Sequence, residues 1–233
     1  MCAKRSIEEL LATEEPAWPM VQQWIQAAHN SVEVLPADEA AGREALLEAQ
    51  VTLRSPMGAV VYHTGGILVD HGWLRLLGCG HPKLPRTMPE WNRGRSTDAA
   101  GTSLGFWLVA DDAVGGFYAL NGGAFGPGSG EVFYFGPDAL HWEPMNGMNY
   151  SQFIVWSLSE ALARFYSAMR WPGWEAEVSS LGGDRALSFY PFLWNKEGKD
   201  VAKCSRKPGP VEEVYSLNVV EFPKQLHALS KKS

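Results

Sequence analysis

Between residues 104 and 135 the chain carries three short apolar runs separated by tight turn signals. Residues 104–110 read as a strand, Asp111-Asp112 as a turn, residues 116–120 as the return, and residues 132–135 as a third strand beyond a Gly-rich stretch. Runs this close leave no room for crossover helices, so they must pair antiparallel, as a meander. The same punctuation occurs earlier. Residues 58–62 are strand-like, Gly65-Gly66 reads as a turn, and residues 67–70 and 73–77 follow. Residues 140–142 add one further short strand.

Around this meander the apolar spacing becomes helical. Ile7, Leu10 and Leu11 form one short stripe, and Trp18, Val21, Trp24, Ile25 and Ala28 form a second, with Pro16 and Pro19 near its start. Residues 32–36 are an extended link, and Asp38 can cap a helix running to about Gln50. A long helix is expected near residues 151–170, capped by Ser151 and stopped by Trp171-Pro172-Gly173. A shorter helix over 174–181 and an edge strand over 187–194 follow, and residues 214–218 dock the tail before a last helical turn or two at 223–229. The pattern predicts an α+β fold: an antiparallel meander packed by helices from the N-terminal third and by the long helix.

The chain has 233 residues, of which 45% are hydrophobic and ten are Trp. That suits one α+β domain over residues 1–233, with an exposed Pro- and Arg-containing loop at 82–103 and a C-terminal extension from about 196. The formal charge of −6 disfavours a phosphate backbone as partner and accommodates a basic one more easily. Three scattered Cys (Cys2, Cys79, Cys204) suit a reducing compartment better than a disulfide framework. The N-terminus lacks the apolar stretch of a signal peptide, and no apolar run reaches the length of a membrane helix. The expectation is a cytoplasmic protein without nucleic-acid or membrane partners.

Several motifs invite catalytic readings. Gly101-Thr102-Ser103-Leu104-Gly105 matches G-x-S-x-G, but a loop precedes it and a strand follows, the reverse of a nucleophile elbow. Residues 121–130 are Gly-rich, yet they lack phosphate-loop spacing and no helix follows, so they read as a wide, mobile loop. Asp70, His71 and Cys79, with His81 and His63 nearby, could line a pocket, although they lack paired zinc-ligand spacing. Asp111-Asp112 could be paired carboxylates, but neighbouring strand residues point to opposite faces. No metal or other cofactor is expected. A candidate binding surface gathers Asp111, Asp112, Glu131 and Asp138, with Trp91 and Trp142 as loop anchors.

Several stretches together resemble an uncharacterised bacterial family of unknown function. They include Arg54-Ser55-Pro56-Met57-Gly58, Asp70-His71-Gly72-Trp73-Leu74-Arg75, residues 110–117, Tyr134-Phe135-Gly136-Pro137-Asp138, Arg170-Trp171-Pro172-Gly173-Trp174 and residues 188–194. The strand ending in Asp111-Asp112, its return, the strand at 132–135 and the Ser151-Gln152-Phe153-Ile154 helix start are also similar to the SUKH superfamily. That similarity implies a helix-backed meander acting as a binding module, in bacteria often an immunity protein. The chain is longer than that pattern by the loop at 82–103 and the segment after about 195. The leading expectation is a non-catalytic protein that binds another macromolecule, with a protein as the possible partner. The alternative is an enzyme or small-ligand protein using Asp70, His71 and Cys79.

Overall fold

A computed structural model describes residues 4–98 and 101–230, so Cys2 lies outside the described residues. Among these, seven strands form one antiparallel sheet in chain order: β1 (Val32–Pro36), β2 (Thr64–Val69), β3 (Leu74–Leu77), β4 (Phe106–Asp112), β5 (Phe117–Asn121), β6 (Glu131–Phe135) and β7 (Trp142–Asn149). The expected α+β meander is present, and the link at 32–36 is its first edge strand, paired with β2.

The N-terminal helices follow their local signals. In α1 (Ile7–Leu11) Ser6 and Glu9 form a capping box. Pro19 sits in the first turn of α2 (Trp18–Gln26). Asp38 caps α3 (Glu39–Ala49) by accepting from the Ala41 N–H at 3.0 Å.

Residues 58–62 are not a strand. They lie in α4 (Pro56–His63), where Ser55 accepts from the Gly58 N–H at 3.0 Å and Pro56 occupies the first turn. Gly58 to Val61 are all buried. A run that is apolar on every side carries no period to separate helix from strand, so the cap decides. Gly65-Gly66 is likewise no turn but part of β2. A Cβ on Gly65 would stand 2.6 Å from the His81 Cβ, so glycine permits the 78–84 segment to cross that strand closely.

The long helix expected at 151–170 is broken into α6 (Tyr150–Ser157), α7 (Glu160–Phe165) and a 3-10 turn at Ser167–Met169. Asn149, not Ser151, caps α6, in a capping box with Gln152. The break has a tertiary cause. The Asn30 amide donates to the carbonyls of Ser157 and Ser159 at 2.8 and 2.9 Å, and the His29 N–H takes that of Leu158. Ser159 then caps α7 through the Ala161 N–H.

The segment expected as an exposed loop at 82–103 is packed over its first part. Residues 84–96 contain α5 (Met88–Asn92), and Leu84, Arg86, Met88, Trp91, Asn92 and Ser96 are buried, while residues 98 and 101–104 are exposed. The Asn92 side chain exchanges hydrogen bonds with the backbone of Leu108 on β4, which fastens the segment to the sheet. The Gly-rich stretch at 121–130 is organised as well. The Asn121 amide donates to the carbonyls of Gly126, Pro127 and Gly128, and its oxygen accepts from the N–H groups of Gly123 and Phe125. After α8 (Trp174–Ser179), β8 (Arg185–Tyr190) pairs with β9 (Ser205–Pro210) as a separate two-stranded ribbon. The tail continues as α9 (Val211–Tyr215), a π-helical stretch, and α10 (Phe222–Ser230). Val211, Val214 and Tyr215 join the same buried cluster as the sheet core. No helix of the described residues is long and apolar enough to cross a membrane.

Candidate functional site

The sheet register separates Asp111 from Asp112. Glu33, Leu68, Arg75, Asp111, Phe117, Phe135 and Trp142 form one cross-strand row. Asp112 shares the opposite face with Tyr118 and Tyr134. Both carboxylates are fully buried, which corrects the expectation that they form part of an acidic surface. The 82–103 segment and the β8–β9 ribbon cover one; α7 helps cover the other.

On its face, Asp111 meets two guanidinium groups. Arg75 Nη2 lies 2.6 Å from Oδ1 and Arg86 Nη1 lies 2.5 Å from Oδ2. The arginines also reach backbone acceptors: Arg75 donates to the carbonyls of Asp112 and Arg185, and Arg86 to that of Gly183. Burial pulls the Arg75 guanidinium below its ordinary value, and Asp111 opposes that shift.

Asp112 has no cation bonded to its side chain. Its Oδ1 accepts from the N–H groups of Val114 and Gly116 at 3.0 and 2.7 Å, and its Oδ2 accepts from the hydroxyls of Tyr134 and Tyr166 at 2.8 and 2.7 Å. Tyr118 lies 2.5 Å from the Tyr166 hydroxyl, whose proton is already committed, so Tyr118 donates. Burial raises the Asp112 carboxyl, and these donors oppose the shift. Burial, reinforced by Asp112, holds all three phenols well above their ordinary value. Each group that could move a proton here is enclosed and internally paired.

Asp70, His71 and Cys79 do not converge. Asp70 is ion-paired with Arg170, whose guanidinium lies over Trp174 at 4.1 Å and Trp73 at 5.0 Å. Cys79 is buried beyond the far end of β3, and burial raises its thiol. A strand rise of ~3.3 Å per residue keeps the two ends of β3 apart. His71 alone of the three lines a cleft of about 510 Å³, with Glu33, Lys83, Ser180, Gly183 and Asp184 among its walls. His63 stacks on Trp18 instead. Among the described residues no group of three or more His, Cys, Asp or Glu could hold a metal ion.

The remaining surface candidates also separate. Trp91 is 1% exposed, with the Arg86 and Arg95 guanidinium groups over its ring and Phe117 stacked on it, and so is not a loop anchor. Trp142 is half-buried and stacks on Phe125 at 4.7 Å. Glu131 and Asp138 lie at and beyond opposite ends of β6.

Asp138 does line a second cavity, of about 400 Å³, between β6, β7, α7 and the 193–201 segment. Its walls are Tyr134, Met145, Met148, Trp156, Phe165, Met169, Leu193 and Val201, and Asp138, Glu143 and Lys199 are its charged groups. Tyr134 and Glu143 face each other across β6 and β7. Phe165 meets Tyr134 at 5.3 Å and Trp156 at 5.4 Å, both nearly at right angles. Phe165 is 41% exposed and Glu143 is exposed at the surface. A concave apolar site with a few polar groups is the usual form of a ligand pocket. Trp156 and Phe165 fall in the span expected as one long helix, and the pocket was missed because its walls are separated by up to 67 positions in the chain, from Tyr134 to Val201.

No solved structure matches this chain. It is similar to the putative uncharacterized protein YbfG of Escherichia coli, 44% identical over 190 residues that cover 82% of this chain and 86% of that one. It is also similar to an uncharacterized protein of Haemophilus influenzae, 36% identical over 217 residues, covering 93% and 95%. With these relatives, and with residues 7–214 matching the model of the protein of unknown function DUF2625, the chain belongs to the DUF2625 family.

Proposed function

We propose that this protein is a non-catalytic binding protein and that the Met- and aromatic-lined pocket between β6, β7 and α7 takes an apolar group, carried by a partner protein or by a small ligand. The observation that carries the reading is a contrast in satisfaction. Both buried carboxylates are held by internal partners, arginines for Asp111 and amides and phenols for Asp112, whereas this pocket leaves Phe165 and three Met side chains around an open cavity. Methionine walls adapt to different occupants, as at other promiscuous binding surfaces. The resemblance to the SUKH superfamily favours a protein as the carrier, and the acidic surface charge favours a basic one.

The test is NMR on protein labelled at the methionine methyls and at the backbone amides, screened with a library of small aromatic and aliphatic fragments. Saturable shifts confined to Met145, Met148 and Met169, lost in Phe165→Glu, support the reading. Fragments that shift only residues of the His71 cleft would overturn it and favour the second reading, a small polar ligand held there. That second reading draws on His71 itself, which has a φ of 61° and lines the cleft beside the ion-paired Asp70.

A further inference from the structure

The chemistry of the same pocket narrows its occupant. We infer that it selects an alkylated ammonium group, a conclusion that rests on the binding reading above. Three aromatic rings supply one wall. Phe165 stands nearly perpendicular to both Tyr134 and Trp156, so the rings form corners and not a flat stack. Such corners surround a compact cation, and the negative ring faces attract it. The Tyr134 ring is also electron-enriched, because its hydroxyl donates to the buried Asp112 carboxylate at 2.8 Å. That bond leaves no phenolic proton to offer a ligand.

The charged groups at the pocket point the same way. Asp138 and Glu143 line it against one cation, Lys199, which lies 3.9 Å from Asp138 Oδ2 and donates to the Asp138 carbonyl at 3.4 Å. Glu143 sits outside that pair and accepts from His141 at 2.8 Å. An anion would face two carboxylates, and a neutral apolar ligand would strip water from them without compensation. A primary ammonium could satisfy only the N–H donors that reach Asp138, Glu143 or Asn146 and would strand the others against thioethers, rings and aliphatic side chains. An alkylated ammonium has its charge spread over methyl groups, needs few or no hydrogen bonds, and gains from both rings and sulfur. The cavity of about 400 Å³ exceeds such a headgroup, and Leu193 and Val201 give it an aliphatic wall for the carbon chain that bears it.

Choline and its neutral carbon isostere, 3,3-dimethylbutan-1-ol, separate charge from shape. The expected result is binding of choline at the labelled Met145, Met148 and Met169 methyls about tenfold tighter than the isostere, the size of a desolvated cation–π contact. Glu143→Gln and Phe165→Leu, both at exposed positions, should each weaken choline several-fold and leave the isostere unchanged. Equal affinity for the two probes would overturn the inference and leave the pocket reading standing. Failure of both, in protein that binds no fragment there either, would remove the two together. Nα-acetyl-trimethyllysine methylamide is the other arm. Tighter binding than choline marks a partner's modified lysine as the source, and weaker binding marks a free small molecule; either result upholds the shared chemistry.

Discussion

Asp111 and Asp112 are consecutive, equally buried and on one strand, yet the protein accommodates them in opposite ways. Asp111 is neutralised by two arginines. Asp112 is solvated by two backbone amides and two phenols, and its carboxyl rises. One face of the sheet solves burial with opposite charge, the other with a polar cradle. Neither is free to act on a ligand, and the second also fixes Tyr134 in the wall of the proposed pocket.

The largest way to break the comparison is Asp111→Ala. It leaves two buried guanidinium groups facing each other, and about 3–5 kcal/mol of stability should be lost in urea unfolding. Replacing Arg75, Arg86 and Asp111 together by apolar residues should recover most of that, because no charge is then stranded.

On the other face, Gly116→Ala should cost about 1–3 kcal/mol. A Cβ there would stand 2.2 Å from Asp112 Oδ2 and 2.3 Å from the Tyr134 hydroxyl. The same substitution should weaken fragment binding in the pocket by moving Tyr134. A substitution without effect on either property would show that the cradle relaxes freely.

Asp112→Asn should cost about 1–2 kcal/mol, since one of its two oxygens becomes a donor facing phenolic donors. Its pH dependence sharpens the comparison further. The folded carboxyl is raised, so the folded state holds the proton to higher pH than the unfolded chain. That contribution is complete below the unfolded value of about 3.9 and is lost as pH climbs through the raised folded value. The deficit of Asp112→Asn relative to the natural chain should therefore shrink from pH 4 upward. A deficit that widens with pH in urea titrations would contradict the raised carboxyl. The smallest effect belongs to Glu143→Gln, within about 0.5 kcal/mol, because the exposed Glu143–His141 pair contributes little to folding.

The strands on either side of the 113–116 turn and the Asp38 cap were legible in the chain, since turn and cap chemistry acts between residues a few positions apart, but Asp111 and Asp112 close β4 and do not form the turn expected of them. The alternation that sends Asp111 and Asp112 to opposite faces was legible too. Their exposure was not. A charged pair beside a turn ordinarily meets water, and it is Arg75, Arg86, Tyr134 and Tyr166, up to 54 positions away, that make burial tolerable. The candidate site was less legible. Of the residues expected to bind, Asp138 lines the pocket, while Trp91 is sealed under arginines that local sequence does not place there.

The sequence by itself determined the antiparallel meander and the helical N-terminal third, because periodicity and capping are local properties of the chain. Tertiary structure decided the rest. It broke the helix after Ser157 by giving the carbonyls of residues 157 and 159 to Asn30, and it folded residues 84–96 against the sheet over Asp111. In each case the deciding partner lies far away in sequence, and the free energy comes from burial and hydrogen bonds that exist only once the sheet has formed.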